Sequence, residues 1–257
     1  MISVHKLPKA VKDRGKYGDA VARIVSKNPK LDKKFVFVKF DNDFSDDGLK
    51  EIHLEKGDKF VPIPLRKTTS RIYVSAPSGA GKSTWSAKMI EEYRRIFPDD
   101  RVFLISTVDQ DDVLDKLEYI ERVEIDDSLI GIPLDEFENS LIVFDDVGTI
   151  SDKHIKKAVM NLRDRAAEKG RHMNISVLVT SHLFSNFSES RLMLLEARDL
   201  VVFPRAGAKT QIRKGLKNYV GLGDQAIDKI FALKSRWVQV RKSAPNFVLS
   251  ERDFYLI

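Results

Sequence analysis

The chain of 257 residues contains no cysteine. That excludes disulfides and zinc–thiolate centres, and it fits a reducing interior. No apolar run approaches the ~20 residues that a membrane span requires. The opening Met1-Ile2-Ser3-Val4-His5-Lys6 carries no apolar core, so neither a span nor a secretory leader is expected, and the protein is expected to be soluble. Internal repeats and low-complexity segments are absent. No Leu-Ser-Gly-Gly-type signature stands before the acidic strand end at 141–146, which argues against an ABC-type transporter ATPase. What is present suffices for a real core: 42% of residues are hydrophobic and 32% charged.

The net charge of +6 hides an asymmetry. Residues 1–34 carry ten Lys/Arg against three Asp, and residues 198–257 twelve against five acids. Residues 99–140 reverse the balance, with fourteen acids against three bases. Basic ends around an acidic middle suit a polyanion, nucleic acid being the first candidate, although solvated faces are the ordinary meaning of charge runs. Lys209, Arg213, Lys214 and Lys217 are the cluster expected to meet such a partner.

Ala76-Pro77-Ser78-Gly79-Ala80-Gly81-Lys82-Ser83, followed by Thr84, reads as a phosphate-binding loop of Walker A type, with Ala at the leading Gly. Arg71 to Ser75 before it reads as a buried strand. Thr84 to Phe97 after it reads as a helix, with Trp85, Met89, Ile90, Tyr93, Ile96 and Phe97 at helical spacing. Gly79 and Gly81 let backbone N–H groups turn toward a triphosphate at a helix N-terminus, whose partial charge favours anions. Lys82 is expected to bridge the β and γ phosphates of ATP, and the Ser83 hydroxyl to ligate Mg2+.

The rest of the chain predicts an α/β fold. Residues 1–33 form a basic N-terminal arm or short helical cap. Residues 34–69 form a small β-rich lead-in, with strands at Lys34–Phe40, Glu51–Leu54 and Lys59–Ile63. Residues 70–257 form a P-loop core with a basic C-terminal part. In the core, strands are expected at Arg101–Ser106, Arg122–Ile125, Ser140–Phe144, Asn174–Thr180, Leu200–Phe203, Arg236–Arg241, Phe247–Leu249 and Phe254–Ile257. An acidic segment with Val113, Leu114, Leu117 and Ile120 on one face reads as helical. Further helices are expected at Ile150–Lys169, Thr210–Tyr219 and Asp224–Leu233. Strands alternating with helices imply right-handed crossovers and a mostly parallel sheet flanked by helices, with its ligand at the carboxyl ends of the strands.

Leu141-Ile142-Val143-Phe144-Asp145-Asp146 has the form of a Walker B strand. Such a run alone is as readily a strand end and turn, but it lies about sixty residues behind a Walker A loop. Asp145 is the candidate Mg2+ ligand. Asp146 holds the place where many ATPases put a Glu that orients the attacking water, and is one methylene shorter. Val177 to His182 ends another strand in polar groups. Thr180, Ser181 or His182 is expected to reach the γ-phosphate or the lytic water; a capped strand end is the plainer alternative. Arg171 is the first candidate for the arginine that completes charge stabilisation, in cis or from a neighbouring subunit, with Arg163, Arg165 and Arg205 behind it. A basic helix C-terminus explains Arg171 equally well.

These residues resemble the viral DNA-packaging ATPases of the poxvirus A32-like group, in the FtsK–HerA superfamily. The resemblance covers roughly residues 70–257. It rests on Ala76–Thr84, Leu141–Asp146, the run Gly170-Arg171-His172-Met173-Asn174-Ile175-Ser176-Val177 leading to Thr180-Ser181-His182, Val202-Phe203-Pro204-Arg205, and Arg236-Trp237-Val238. His182 stands where the group usually shows Gln, and Asp146 where many relatives outside it carry Glu. The resemblance implies a RecA-like core in a homo-oligomeric ring that hydrolyses ATP with Mg2+ and pumps double-stranded DNA into a preformed capsid. It also implies a capsid or portal-vertex partner, and a place in the virus factory or cytoplasm of an infected cell, or with the virion. A superfamily helicase or translocase unconnected with packaging, a small-molecule P-loop kinase and a nucleotide-gated assembly protein are the competing classes. An Arg-rich lid, which would favour the kinase, is not evident.

Overall fold

Apolar, β-branched runs in the middle of the chain build a sheet buried on both faces. The computed structural model describes residues 1–6, 18–39, 51–65, 68–184 and 189–257. In chain order the elements are β1 (Ile2–Lys6), β2 (Asp19–Val25), β3 (Lys34–Val38), β4 (Glu51–His53), β5 (Lys59–Pro62), β6 (Arg71–Ser75), α1 (Lys82–Ile96), β7 (Arg101–Ser106), β8 (Ile120–Arg122), β9 (Ser140–Asp145), α2 (Lys153–Lys169), β10 (Ile175–Ser181), α3 (Arg191–Glu196), β11 (Asp199–Val202), α4 (Lys209–Gly215), α5 (Asp224–Ala232), β12 (Val238–Arg241), β13 (Phe247–Ser250) and β14 (Asp253–Leu256).

The main sheet has the order β4-β14-β13-β12-β11-β6-β10-β9-β7-β8. The run from β11 to β8 is parallel throughout. From β11 to β4 the neighbours are antiparallel. The connections between β12, β13 and β14 are too short for crossovers, so those strands fold back beside one another. Asp199 and Arg241 pair across the first antiparallel junction in a buried two-point ion pair at 2.7 and 2.8 Å, which Gln239 extends.

Alternation along the strands divides the core into two layers. Ile72, Val74, Leu141, Val143 and Leu178 face α1, whose Trp85, Met89, Ile90 and Tyr93 cover them. Tyr73, Ile142, Phe144, Val177 and Val179 face the other way, beneath α2 to α5. No helix among the described residues is long and apolar enough to cross a membrane.

The amino-terminal region differs from the expected arm plus lead-in. Residues 2–6 and 19–25, expected within a basic arm or helical cap, are strands. They join β3 and β5 in a four-stranded antiparallel sheet of order β1-β3-β2-β5. Val21, Ala22, Ile24, Val36 and Phe60 share the core under α1, and the Arg23 Nε donates to Glu92 at 2.8 Å. Residues 7–17, and Phe40 at the expected end of β3, lie outside the described residues. β4 leaves the lead-in altogether: it is the edge strand of the main sheet, paired with β14.

Three expected helices change. The Asp152 carboxylate caps α2 by accepting from the N–H groups of His154 and Ile155, so the helix starts at Lys153 rather than Ile150. The acidic segment forms only a 3-10 turn at Leu114–Lys116, because Ile120–Arg122 is drawn into parallel pairing with Val102–Leu104. That pairing also moves the expected strand at 122–125 two residues earlier. The helix from Lys209 gives way after Gly215 to a π turn, Leu216–Val220. Gly215 packs so tightly that a Cβ there would sit 1.9 Å from the Phe184 ring, so only glycine fits. α3 was not foreseen; it is a six-residue helix in a polar-flanked connection.

Candidate active site

The loop between β6 and α1 stands at the carboxyl edge of the parallel strands. Its start is tied to β10 by Ala76 N–H, which donates to the Ser181 carbonyl at 3.1 Å. Gly79 (φ 72) and Gly81 (φ 106) hold left-handed backbone that an L side chain resists, which is the reason for glycine at both. Gly81 is the N-cap of α1, and no side chain caps the helix. The first N–H groups of α1 therefore remain directed at the loop, where an anion can receive them.

Lys82 is buried, and its Nζ is surrounded by acceptors. It donates to the Ala76 carbonyl at 3.0 Å and to His182 Nδ1 at 3.1 Å, and lies 3.5 Å from Asp146 Oδ2. His182 Nε2 faces the same Oδ2 at 3.1 Å. The ring thus spans the two residues, with Nδ1 accepting and Nε2–H donating in its neutral form.

β9 and its neighbours place the two carboxylates differently. Asp145 ends the strand and is buried. It accepts from Ser106 Oγ at 2.9 Å and Thr180 Oγ1 at 2.7 Å. Thr180 Oγ1 in turn accepts the Asp146 N–H at 3.1 Å, so one hydroxyl fixes both residues. Asp146 turns out of the strand with φ 49 and ψ 28. Its Oδ1 is buried without a hydrogen-bond partner among the described residues. Burial pushes the Asp146 carboxyl up, against the pull of Lys82; Asp145 adds to the rise and His182 opposes it. Beside it opens a cavity of about 130 Å³ lined by Tyr73, Arg163, Thr180, Ser181 and His182.

The donor set fits ATP with Mg2+. The glycine cradle and the uncapped helix suit phosphate. The Ser83 hydroxyl and Asp145 carboxylate are hard oxygen ligands of the kind Mg2+ takes beside substrate phosphates. No cluster of three or more acidic or His ligands occurs among the described residues, and one or two carboxylates suffice for this mode of binding.

Of the expected site residues, Lys82, Asp145, Asp146 and His182 converge, with Ser83 next to Lys82 in the first turn of α1. The Ser181 hydroxyl is occupied locally, donating to the Leu183 carbonyl and accepting the Leu183 N–H. Arg171 lies elsewhere. It stands at the amino edge of the sheet, in a cavity of about 570 Å³ with Arg71, Asp100, Asn139, Asn174 and Arg198, and its Nε donates to His172. These are residues at or just before the starts of parallel strands, so Arg171 cannot reach the loop of its own chain. Arg163 is buried and bound to Asp164 and the Glu189 carbonyl, and Arg165 donates to the Ile132 carbonyl. Arg205 is exposed just past β11.

Two contributors were missed. Ser106 reaches Asp145 because β7 pairs with β9 in a register that sets Ser106 opposite Asp145. Asp111 accepts the Val113 and Leu114 N–H groups at 2.8 Å and lies near the Ser83 hydroxyl. Burial raises its carboxyl, but the Leu114 N–H, Ser83 and the Val113 N–H together bring it below the usual range. The signal was position: Ser106 ends a strand neighbouring the Walker B strand, and Asp111 lies in the loop that follows it.

No family model matches the chain. It is 38% identical over 213 residues to protein V3 of Sputnik virophage, covering 82% of this chain and 86% of V3. Among solved structures it is similar to the conjugation coupling protein TcpA of pCW3 in its monomer form with ATPγS. That match has 10% identity and a TM-score of 0.51, and covers 90% of this chain and 77% of TcpA. The genome packaging NTPase B204 of Sulfolobus turreted icosahedral virus 2 matches at 11% identity and a TM-score of 0.48, over 72% of this chain and 98% of B204. The chain belongs to the same family as the V3 protein of Sputnik virophage.

Proposed function

We propose that the protein is an ATP-hydrolysing motor that translocates double-stranded viral DNA into a preformed capsid, working as a homo-oligomeric ring. The observation that carries this reading is the division of the site. Lys82, Asp145, Asp146 and His182 assemble at one edge of the sheet, while Arg171 waits at the opposite edge. A head-to-tail contact between copies would bring the Arg171 of one to the phosphates of the next, and such contacts close into rings. Phosphoryl transfer gains its rate from positioning and charge stabilisation. Here Lys82 would grip the β and γ phosphates, and Ser83 and Asp145 would hold Mg2+. Asp146 would orient the water, with His182 bridging it to Lys82. Bound there, Mg2+ would neutralise phosphate charge. The virophage relative supports a viral setting, and the capsid or portal-vertex partner follows from the resemblance alone.

DNA contact is proposed through the basic surface, with fewer groups than the charge count suggests. Arg213 is bound to Asp224 and Asp228, and Lys217 to Asp224. Lys209 lies over the Phe231 ring, 6.0 Å from its centroid, and Lys214 is exposed. Lys209 and Lys214 are therefore the cations of this cluster left for phosphates.

Steady-state hydrolysis with and without long duplex DNA tests the reading. Turnover is expected to rise severalfold with DNA, and the stimulation to fade as salt increases. Turnover indifferent to duplex DNA would overturn the motor and favour a nucleotide-gated assembly protein; separation of strands would favour a helicase.

Arg171→Ala is expected to lower turnover about 10³-fold and to leave ATP binding by the isolated chain intact. Mixing it with Lys82→Ala protein should recover activity, since each supplies what the other lacks. Absence of recovery in assembled mixed rings would remove the trans role.

A further inference from the structure

Arg236 flanks the phosphate loop on the side away from Asp145, Asp146 and His182. The strand order puts it there. β9 and β10 lie on one side of β6, and β11 and β12 on the other. Val202 of β11 is in register with Ser75 of β6 and with Val238 of β12. The residues just before Val238 therefore pass the carboxyl edge beside the loop.

The backbone at this point is fixed by tertiary contacts. Buried Trp237 meets Trp85 of α1 edge to face, with ring centroids 6.2 Å apart. Ser235 Oγ donates to the Trp237 carbonyl at 2.6 Å and accepts the Glu251 N–H at 3.1 Å. Glu251 Oε2 accepts the Arg236 N–H at 3.3 Å. The guanidinium itself is exposed and makes no hydrogen bond or ion pair among the described residues. Its Nη2 lies 3.7 Å from the point where a side chain on Gly81 would begin, and the buried Phe203 ring lies 3.8 Å from that point. An unpaired guanidinium anchored against a loop of inward-turned N–H groups is suited to an anion held by that loop.

The hydrolysed end of a triphosphate belongs beside Asp146 and His182. The remainder of the nucleotide then extends toward the opposite flank. We propose that Arg236 binds the part of the phosphate chain common to ATP and ADP, in cis, and thereby sets the affinity for both. This rests on the reading of the loop as a nucleotide site.

Calorimetric titration of ATP and of ADP, each with Mg2+, into wild type, Arg236→Ala and Arg236→Lys tests the assignment. Arg236→Ala is expected to raise the Kd for both nucleotides about tenfold, the effect of one charge-assisted contact. The ratio of the two affinities should stay within about twofold of wild type, and Arg236→Lys should fall between. Unchanged Kd values in Arg236→Ala would make Arg236 a solvent side chain and overturn the proposal. Weakened ATP with unchanged ADP would place the guanidinium at the γ-phosphate and overturn it equally. Wild-type protein that binds neither nucleotide would overturn the loop reading itself, and the assignment with it. Matching thermal melts of the three proteins exclude misfolding as the cause, since the side chain supports no other group.

Discussion

Lys82→Ala is expected to abolish measurable ATP turnover, lowering it by at least about 10³-fold. Lys82 is a buried cation with acceptors on three sides: the Ala76 carbonyl, His182 Nδ1 and Asp146 Oδ2. A triphosphate arriving in the loop supplies stronger acceptors, and the ammonium would turn to them. Alanine removes the loop's own cation from the charge that builds on the γ-phosphoryl oxygens. It also leaves Asp146 half-buried beside Asp145 without its principal counter-charge, so its carboxyl rises further. Both ATP affinity and the rate should fall, and a thermal melt separates this from unfolding. Turnover above about a tenth of wild type would mean that Lys82 does not reach the γ-phosphate.

The core of the fold was legible because its strands are buried on both faces. Leu141–Phe144 and Val177–Val179 are continuous apolar runs inside strands buried on both faces, and such runs betray themselves without knowledge of their neighbours. β1 and β2 were not legible for the opposite reason. Their partners set them: Ile2 lies against Val38, and Arg23 against both Phe35 and Val61. β4 pairs with a strand some two hundred residues away, at Tyr255 and Asp253, which no local pattern announces. In the acidic segment the apolar spacing was helical, yet Asp111 captures the Val113 and Leu114 N–H groups and β7 captures Ile120. Pairing overrode periodicity there.

The site divides in the same way. Loop and strand motifs carry Lys82, Ser83, Asp145 and Asp146, because their chemistry needs adjacent residues. Thr180, Ser181 and His182 could be named as a group but not assigned. Pleating and the loop that follows separate them: Thr180 points to Asp145, Ser181 turns to Leu183, and His182 returns to Lys82. Ser106, Asp111 and Arg236 come from other elements and meet the site only through sheet order. The same order moves Arg171 to the far edge, although its motif runs directly into the strand that delivers His182.

Asp146→Asn is expected to stop hydrolysis while leaving ATP bound. Asparagine is the informative replacement because Asp146 sits in left-handed backbone, which Asn tolerates and Ala does not. The amide keeps the shape of the carboxylate, and the Thr180 bond to the backbone N–H is untouched. What disappears is the charge and one acceptor beside the cavity. In the native chain Asp146 Oδ1 is buried and unpartnered, at the edge of a space of about 130 Å³ with room for ordered water. A polar atom so placed costs stability unless something occupies that space. A water held by that oxygen would be the nucleophile. Loss of a positioned base is worth about 10²–10⁴-fold, so kcat should fall about 10³-fold. ATP affinity should hold or improve, since one negative charge has left the neighbourhood of the γ-phosphate. Single-turnover hydrolysis beside equilibrium ATP binding measures both quantities on one preparation. Hydrolysis within tenfold of wild type would move the water from Asp146 to His182, whose ring spans the same two residues.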